Sequence, residues 1–217
     1  MRKNVCYIVG ASTFDERIKP LPGDYVIACD KGYKYLTEQN IKPDCSLGDF
    51  DSLCDIPNEE NLFVYPSEKN DTDMKLALNH AIEKGYEKFY IFGSLGGRLD
   101  HTLANIQMLL FLAKKNFSAY LIGEGTKVTA IHNSVFKFTG KENGYFSVFA
   151  IGSDAQKVTV KNAKYNIKNQ KIFCDDSLGV SNEFLPGKSA EISVINGSLC
   201  IVWYEKFNEG IGAENEN

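Results

Sequence analysis

Over roughly the first 123 residues, short apolar runs alternate with stretches of helical period. The runs Val5 to Val9, Tyr25 to Cys29, Cys45 to Leu47, Leu62 to Tyr65, Phe89 to Phe92 and Ala119 to Ile122 are the length of buried strands. Between them Met74, Leu78 and Ala81 recur at helical spacing, and Leu99, Leu103, Ile106, Leu110 and Ala113 form a longer stripe of the same kind. Strand and helix in alternation predict an α/β domain, a mostly parallel sheet with helices on its faces. From about Thr126 the pattern changes. "KVTAIHNSVFKFTG", "YFSVFAIG", "KVTVKNAKYNIKN" and "SAEISVINGSLCIVWYE" alternate β-branched and aromatic residues with polar ones, and Gly, Asn, Asp and Ser turns separate them. That predicts a small all-β domain, a β-sandwich or barrel. The expected boundaries are 1–125 and 126–217, closely joined, with a frayed tail in "NEGIGAENEN".

Composition narrows the class. The 217 residues are 43% hydrophobic and 24% charged, with a net charge of −4. This is a globular profile without the basic surface that nucleic acid or an acidic membrane would require. No run approaches the roughly 20 apolar residues of a membrane span, and Val5 to Val9 is too short for a signal-peptide core. A cytoplasmic protein is expected. The six cysteines, at 6, 29, 45, 54, 174 and 200, form no CxxC pair and read as buried reduced thiols.

The chemistry collects where strands end. In an open α/β sheet the ligand crevice lies beyond the carboxyl ends of the strands. Gly10, Asp30, Gly48 with Asp49 and Asp51, Ser67 to Asp73, and Gly93 to Asp100 each follow a predicted strand. In "SLGDFDS" the carboxylates of Asp49 and Asp51 share one side of extended backbone, which suits either Mg²⁺ or a surface Asx turn. In "SEKNDTDMKLAL", Asp71, Thr72 and Asp73 open a helix, where capping alone explains Asp and Thr. Asp73 and Thr72 also face the crevice. In "FGSLGGRLDHTLAN", Gly96 and Gly97 allow close backbone approach, the helix start is an anion site, and Arg98 can grip phosphate oxygens in bidentate fashion. Asp100 can ligate metal or hold Arg98. His101 reads as a structural residue of the helix start.

Together "ACDKGYKYL", "PDCSLGDFDSL", "SEKNDTDMKLAL", "GSLGGRLDHTLANIQML" and "GVSNEF" resemble the ordered motifs of the thiamine pyrophosphokinase family, across nearly the whole chain. The resemblance implies a Rossmann-like N-terminal catalytic domain that binds ATP and Mg²⁺. It also implies a C-terminal β-sandwich that binds thiamine, and a homodimer with the active site at the subunit interface. The reaction implied is attack of thiamine's hydroxyl on the β-phosphorus of ATP, giving thiamine diphosphate and AMP. The family's metal and phosphate acids map to Asp30, Asp49, Asp51, Asp73 and Asp100, with Arg98 beside them. Asp49, Asp51, Asp73, Arg98 and Asp100 are the expected catalytic set.

Three departures stand out. Lys31 follows Asp30 where the family has glycine. Asn70 replaces the first acid of the family's DxTD motif, with Asp71 in the variable position. Tyr165 stands where the family uses an aromatic, usually Trp, to stack on thiamine; a core-facing tyrosine is the other reading. Ser181 and Asn182 are candidate thiamine contacts or an ordinary β-turn. A Mg²⁺-dependent phosphohydrolase and a non-catalytic nucleotide or thiamine sensor are the alternative functions.

Overall fold

The computed structural model describes residues 4–12, 17–48, 62–64 and 72–204. Asp49, Asp51, Cys54, Asn70, Asp71 and the tail lie outside these residues. The chain divides into two compact units, Met1–Glu124 with Val128–Ala130, and Gly125–Lys127 with Ile131–Asn217.

The first unit runs β1 (Cys6–Val9), β2 (Tyr25–Cys29), α1 (Gly32–Glu38), β3 (Cys45–Gly48), β4 (Leu62–Val64), α2 (Asp73–Glu83), β5 (Lys88–Phe92), α3 (Leu99–Lys114) and β6 (Ser118–Gly123). Its strands lie in the order β6-β5-β1-β2-β3-β4, every adjacent pair parallel. Strands of such a sheet are covered on both faces and read as continuous apolar runs. Accordingly β1 and β3 are buried at every residue. One face holds Val5, Tyr7, Val9, Val26, Ala28, Phe92 and Ile122 with Leu36 of α1. Helix α2 packs on β1, β2 and β3, and α3 on β6.

Two expectations need correction here. In α3 the buried residues are Met108, Leu109, Leu112 and Ala113, whereas Leu99 and Leu103 are 71% and 53% exposed. Ala113 of the expected stripe is buried and Ile106 and Leu110 are half-buried, so the stripe leaves the core only at the N-terminal end of the helix. Among the cysteines, 6, 29, 45 and 200 are buried free thiols, but Cys174 is exposed.

In the second unit, β7 (Thr126–His132, its centre belonging to the first unit) is followed by β8 (Val135–Lys137), β9 (Tyr145–Ala150), β10 (Ala155–Lys161), β11 (Ile167–Ile172), β12 (Asn182–Glu183), β13 (Glu191–Ser193) and β14 (Ser198–Tyr204). Strands β12, β9 and β14 are joined antiparallel, and β11-β10-β13-β8 form a separate antiparallel sheet. An aromatic core ties the two together. Phe138 meets Phe184 at 4.7 Å, Phe136 at 4.9 Å, Trp203 at 5.4 Å and Phe146 at 5.6 Å between ring centroids. Such pairs each add about 0.5–1.5 kcal/mol beyond their buried area. On the four-stranded sheet, Glu191 pairs with Lys137 at 2.9 Å and Lys161 at 3.0 Å, its registered neighbours on either side.

Candidate active site

The strand order reverses between β1 and β5, since β2, β3 and β4 extend one way and β6 the other. A crevice opens at such a point, beyond the carboxyl ends. Here Gly10 N donates to Phe92 O at 2.8 Å and Ser12 N to Gly93 O at 3.1 Å. A Cβ on Gly10 would stand 2.6 Å from Gly93 O, and one on Gly93 2.5 Å from Gly10 O. Backbone therefore touches backbone across the switch point, and no side chain fits between.

Two acids converge on the β2–β3 side. Asp30 takes a left-handed conformation (φ 48°) directly after β2, and its N–H donates to Leu47 O at 3.1 Å. Its buried Oδ1 lies only 1.9 Å from where a Cβ on Gly48 would be, and Gly48 itself has φ 152°. Gly48 is thus the cradle of the Asp30 carboxylate. Asp73 begins α2, and the Thr72 hydroxyl caps that helix by accepting from Lys75 N at 3.3 Å. Cys29 Sγ donates to Asp73 O at 3.8 Å, which joins the end of β2 to the start of α2. Burial, then the charges of Asp30 and Asp73, hold the Cys29 thiol well above its ordinary range. Two carboxylates thus act on one buried point. Among the described residues no three His, Cys, Asp or Glu side chains cluster tightly enough to hold a metal. Asp49 and Asp51, the next acids after Gly48, are outside those residues.

On the β5 side the glycine loop is stapled by α3. Asn105 Nδ2 donates to Ser94 O at 2.8 Å, and the Thr102 hydroxyl to Gly96 O at 3.3 Å. The N-cap residue, Arg98, makes no side-chain cap bond, but Asp100 Oδ1 takes the N–H of His101, so the anion-binding character of this helix start rests on the N–H groups of Leu99 and Asp100. The Arg98 guanidinium folds onto Asp100, Nε to Oδ1 at 3.1 Å and Nη2 to Oδ2 at 2.5 Å, and His101 N also donates to Oδ1. Those bonds, Arg98 first, lower the Asp100 carboxyl below its ordinary value and raise Arg98. Of its two expected roles, Asp100 here takes that of holding Arg98.

Two neighbours of this loop drew no notice from sequence. The Ser12 hydroxyl lies 3.6 Å from a Cβ position on Gly97, and the Glu124 carboxylate 3.2 Å from one on Gly96. Each follows a strand end, the signal that marked the other candidates; both look like ordinary turn residues.

In the second unit Tyr165 is 57% exposed, which removes the core-facing reading. Buried Asn182 grips its backbone from both sides. Tyr165 N donates to Asn182 Oδ1 at 3.0 Å, and Asn182 Nδ2 to Tyr165 O at 2.7 Å. Ser181 sits beside it with φ 56°, its N–H donating to Ser147 Oγ at 3.1 Å. The three expected residues are therefore together, but the Asn182 amide is spent on holding Tyr165.

Comparison with known proteins agrees with both units. Residues 22–121 match the family model for the thiamin pyrophosphokinase catalytic domain, and residues 133–199 that for the thiamin pyrophosphokinase vitamin B1 binding domain. Thiamine pyrophosphokinase of Bacillus subtilis is 32% identical over 183 residues, covering 81% of this chain and 85% of the relative. A crystal structure of that species' thiamine pyrophosphokinase superposes with a TM-score of 0.82 at 27% identity, over 94% of this chain and 100% of the other. The Enterococcus faecalis thiamin pyrophosphokinase family protein gives 0.79 at 25% identity, over 95% and 100%.

Proposed function

The chain belongs to the thiamin pyrophosphokinase family, and on that premise we propose how its residues transfer pyrophosphate from ATP to the hydroxyl of thiamine. The observation that carries the assignment is the convergence of Asp30, cradled by Gly48, with Asp73 at the β2–β3 side of the crevice. Asp49 and Asp51 are the next acids along the chain after Gly48, and carboxylate oxygens are the donors that Mg²⁺ takes. Asp30, Asp49, Asp51 and Asp73 would hold that ion, Asn70 and Asp71 would be further oxygen donors for it, and Asp100 could join if Arg98 releases it. Bound there, Mg²⁺ supplies charge neutralisation and alignment of phosphate oxygens.

The chain's own groups do the rest. Arg98 is already pointed by Asp100 and spends only part of its five-donor fork on it, which leaves N–H groups for non-bridging oxygens. The first N–H groups of α3, at Leu99 and Asp100, and the backbone of Gly96 and Gly97 add further donors. Phosphoryl-type transfer relies on positioning and charge rather than covalent help. An aspartate accepts the hydroxyl proton as the bond forms and AMP leaves. Tyr165, held by Asn182 with Ser181 alongside, stacks on thiamine's pyrimidine. In this reading residues 1–125 are a Rossmann-like catalytic domain and 126–217 a thiamine-binding, dimerising β-sandwich in a cytoplasmic homodimer. Leu99 and Leu103 support association, because they expose apolar surface on either side of Asp100.

The test is to incubate the protein with ATP, Mg²⁺ and thiamine and to follow AMP and thiamine diphosphate together. Equal amounts of both are expected. Asp49→Asn and Asp51→Asn should each lower turnover by several orders of magnitude in a folded protein. Phosphate release independent of thiamine would replace the assignment with a hydrolase, and binding without turnover with a sensor. Near-normal turnover in either variant at saturating Mg²⁺ would remove that aspartate from the site.

A further inference from the structure

The mechanism leaves one carboxylate at the crevice unused. Glu124 follows β6 and its side chain lies over Gly96, whereas the metal-side acids sit across the switch point. Register fixes how far apart these groups are. Val9 is level with Ala28 on one side and with Phe92 on the other, and Phe92 is level with Ile122. Counting two residues onward places Asp30 and Glu124 in the same row, three strands apart. At about 4.8 Å per strand that is roughly 14 Å. Oxygen ligands of one Mg²⁺ lie about 2.1 Å from it, so they are within about 4 Å of each other. Even with both side chains reaching inward, Glu124 stands too far away to share an ion with Asp30.

A carboxylate beside a polyphosphate path repels it unless it faces an uncharged donor. ATP has such donors at only one end. With its terminal phosphates among the metal acids and the phosphate next to the sugar held by Arg98 and the start of α3, as proposed above, ATP carries its nucleoside onward past Gly96 towards β6. There the ribose 2′- and 3′-hydroxyls offer two neighbouring O–H donors to an acceptor-only group, the same pairing an acidic residue makes with ribose in dinucleotide-binding folds. We infer that Glu124 is a specificity-determining residue that accepts hydrogen bonds from the ribose diol of ATP across Gly96. Gly96 is part of the device, because a side chain there would occupy the space between glutamate and sugar. The inference rests on ATP lying in this crevice as proposed above.

Calorimetric titration of the intact protein in Mg²⁺ with ATP, 2′-deoxyATP and 3′-deoxyATP tests it. A hydrogen bond to a charged group contributes about 1.5–3 kcal/mol, which corresponds to roughly tenfold or more in affinity. Wild-type protein should bind ATP at least about tenfold tighter than either deoxynucleotide. Glu124→Gln should weaken ATP to their level and leave the deoxynucleotides and the KM for thiamine nearly unchanged. Equal wild-type affinity for all three overturns the assignment, as does a variant that weakens all three alike. If Glu124→Gln does not fold, the wild-type comparison decides alone. Thiamine diphosphate formation with equal KM for ATP and the deoxynucleotides would sink this inference and keep the kinase reading. Ribose preference without turnover would do the reverse, and no ATP binding at all would sink both.

Discussion

Asp30 and Gly48 are separated by a loop and a helix in sequence, yet one occupies the space that a side chain on the other would need. Replacing Gly48 by alanine sets a methyl group 1.9 Å from Asp30 Oδ1, at a backbone angle that L-residues rarely adopt. Relief requires the carboxylate to move, and backbone strain of this kind costs about 1–3 kcal/mol. Gly48→Ala should therefore lower stability by about 2 kcal/mol in chemical denaturation. Its Mg²⁺-dependent turnover should fall much further than that loss explains. Full activity in the folded variant would show that the Asp30 position does not matter. The residues around this pair were legible as a list, since acids and glycines follow each apolar run. Their pairing was not, because a contact between neighbouring strand ends leaves no mark in linear spacing. For the same reason Asp100 could be read as metal ligand or as partner of Arg98, and only the fork geometry chose.

Elements repeat the lesson at larger grain. Strands of the parallel sheet were plain because burial on both faces makes them apolar throughout. Helix α1 was missed. It has seven residues, opens on Gly32 and follows a left-handed Asp30, so it lacks both a sustained period and a side-chain cap. In α3 the opposite held, since the period was plain but the stripe leaves the core at the N-terminal end of the helix. Helix α2 carries a titratable contact that can be checked. His80 stacks on Tyr25 with centroids 6.2 Å apart and meets its hydroxyl at 3.4 Å. Burial first, then Lys84, lowers its pKa from the ordinary 6.5, with Glu83 opposing. The folded state thus disfavours the charged ring, and the unfolded state binds the proton more readily. Stability should then fall as pH drops from about 6.5 through the lowered folded value. In melts between pH 7.5 and 5, His80→Gln should flatten that decline, so that wild type and variant converge in Tm at acid pH. Parallel curves would assign the acid sensitivity elsewhere.

For the whole molecule, association is the property on which the proposed site depends most. Leu99 and Leu103 are one helical turn apart and exposed, so a partner surface can cover both at once. In sedimentation the wild-type protein should run as a dimer. Leu103→Asp should shift it towards monomer with unchanged circular dichroism and reduced turnover that recovers at high protein concentration. A monomeric, fully active wild type would argue against a shared site. The contact between Gly10 and Gly93 carries a different kind of consequence, one for substitution. Since each glycine is blocked by the other's backbone carbonyl, which no side-chain change removes, neither can carry a side chain, and the centre of the crevice is closed to change. A change of nucleotide preference would then have to be made at its two banks, around Asp30 on one side and Glu124 on the other.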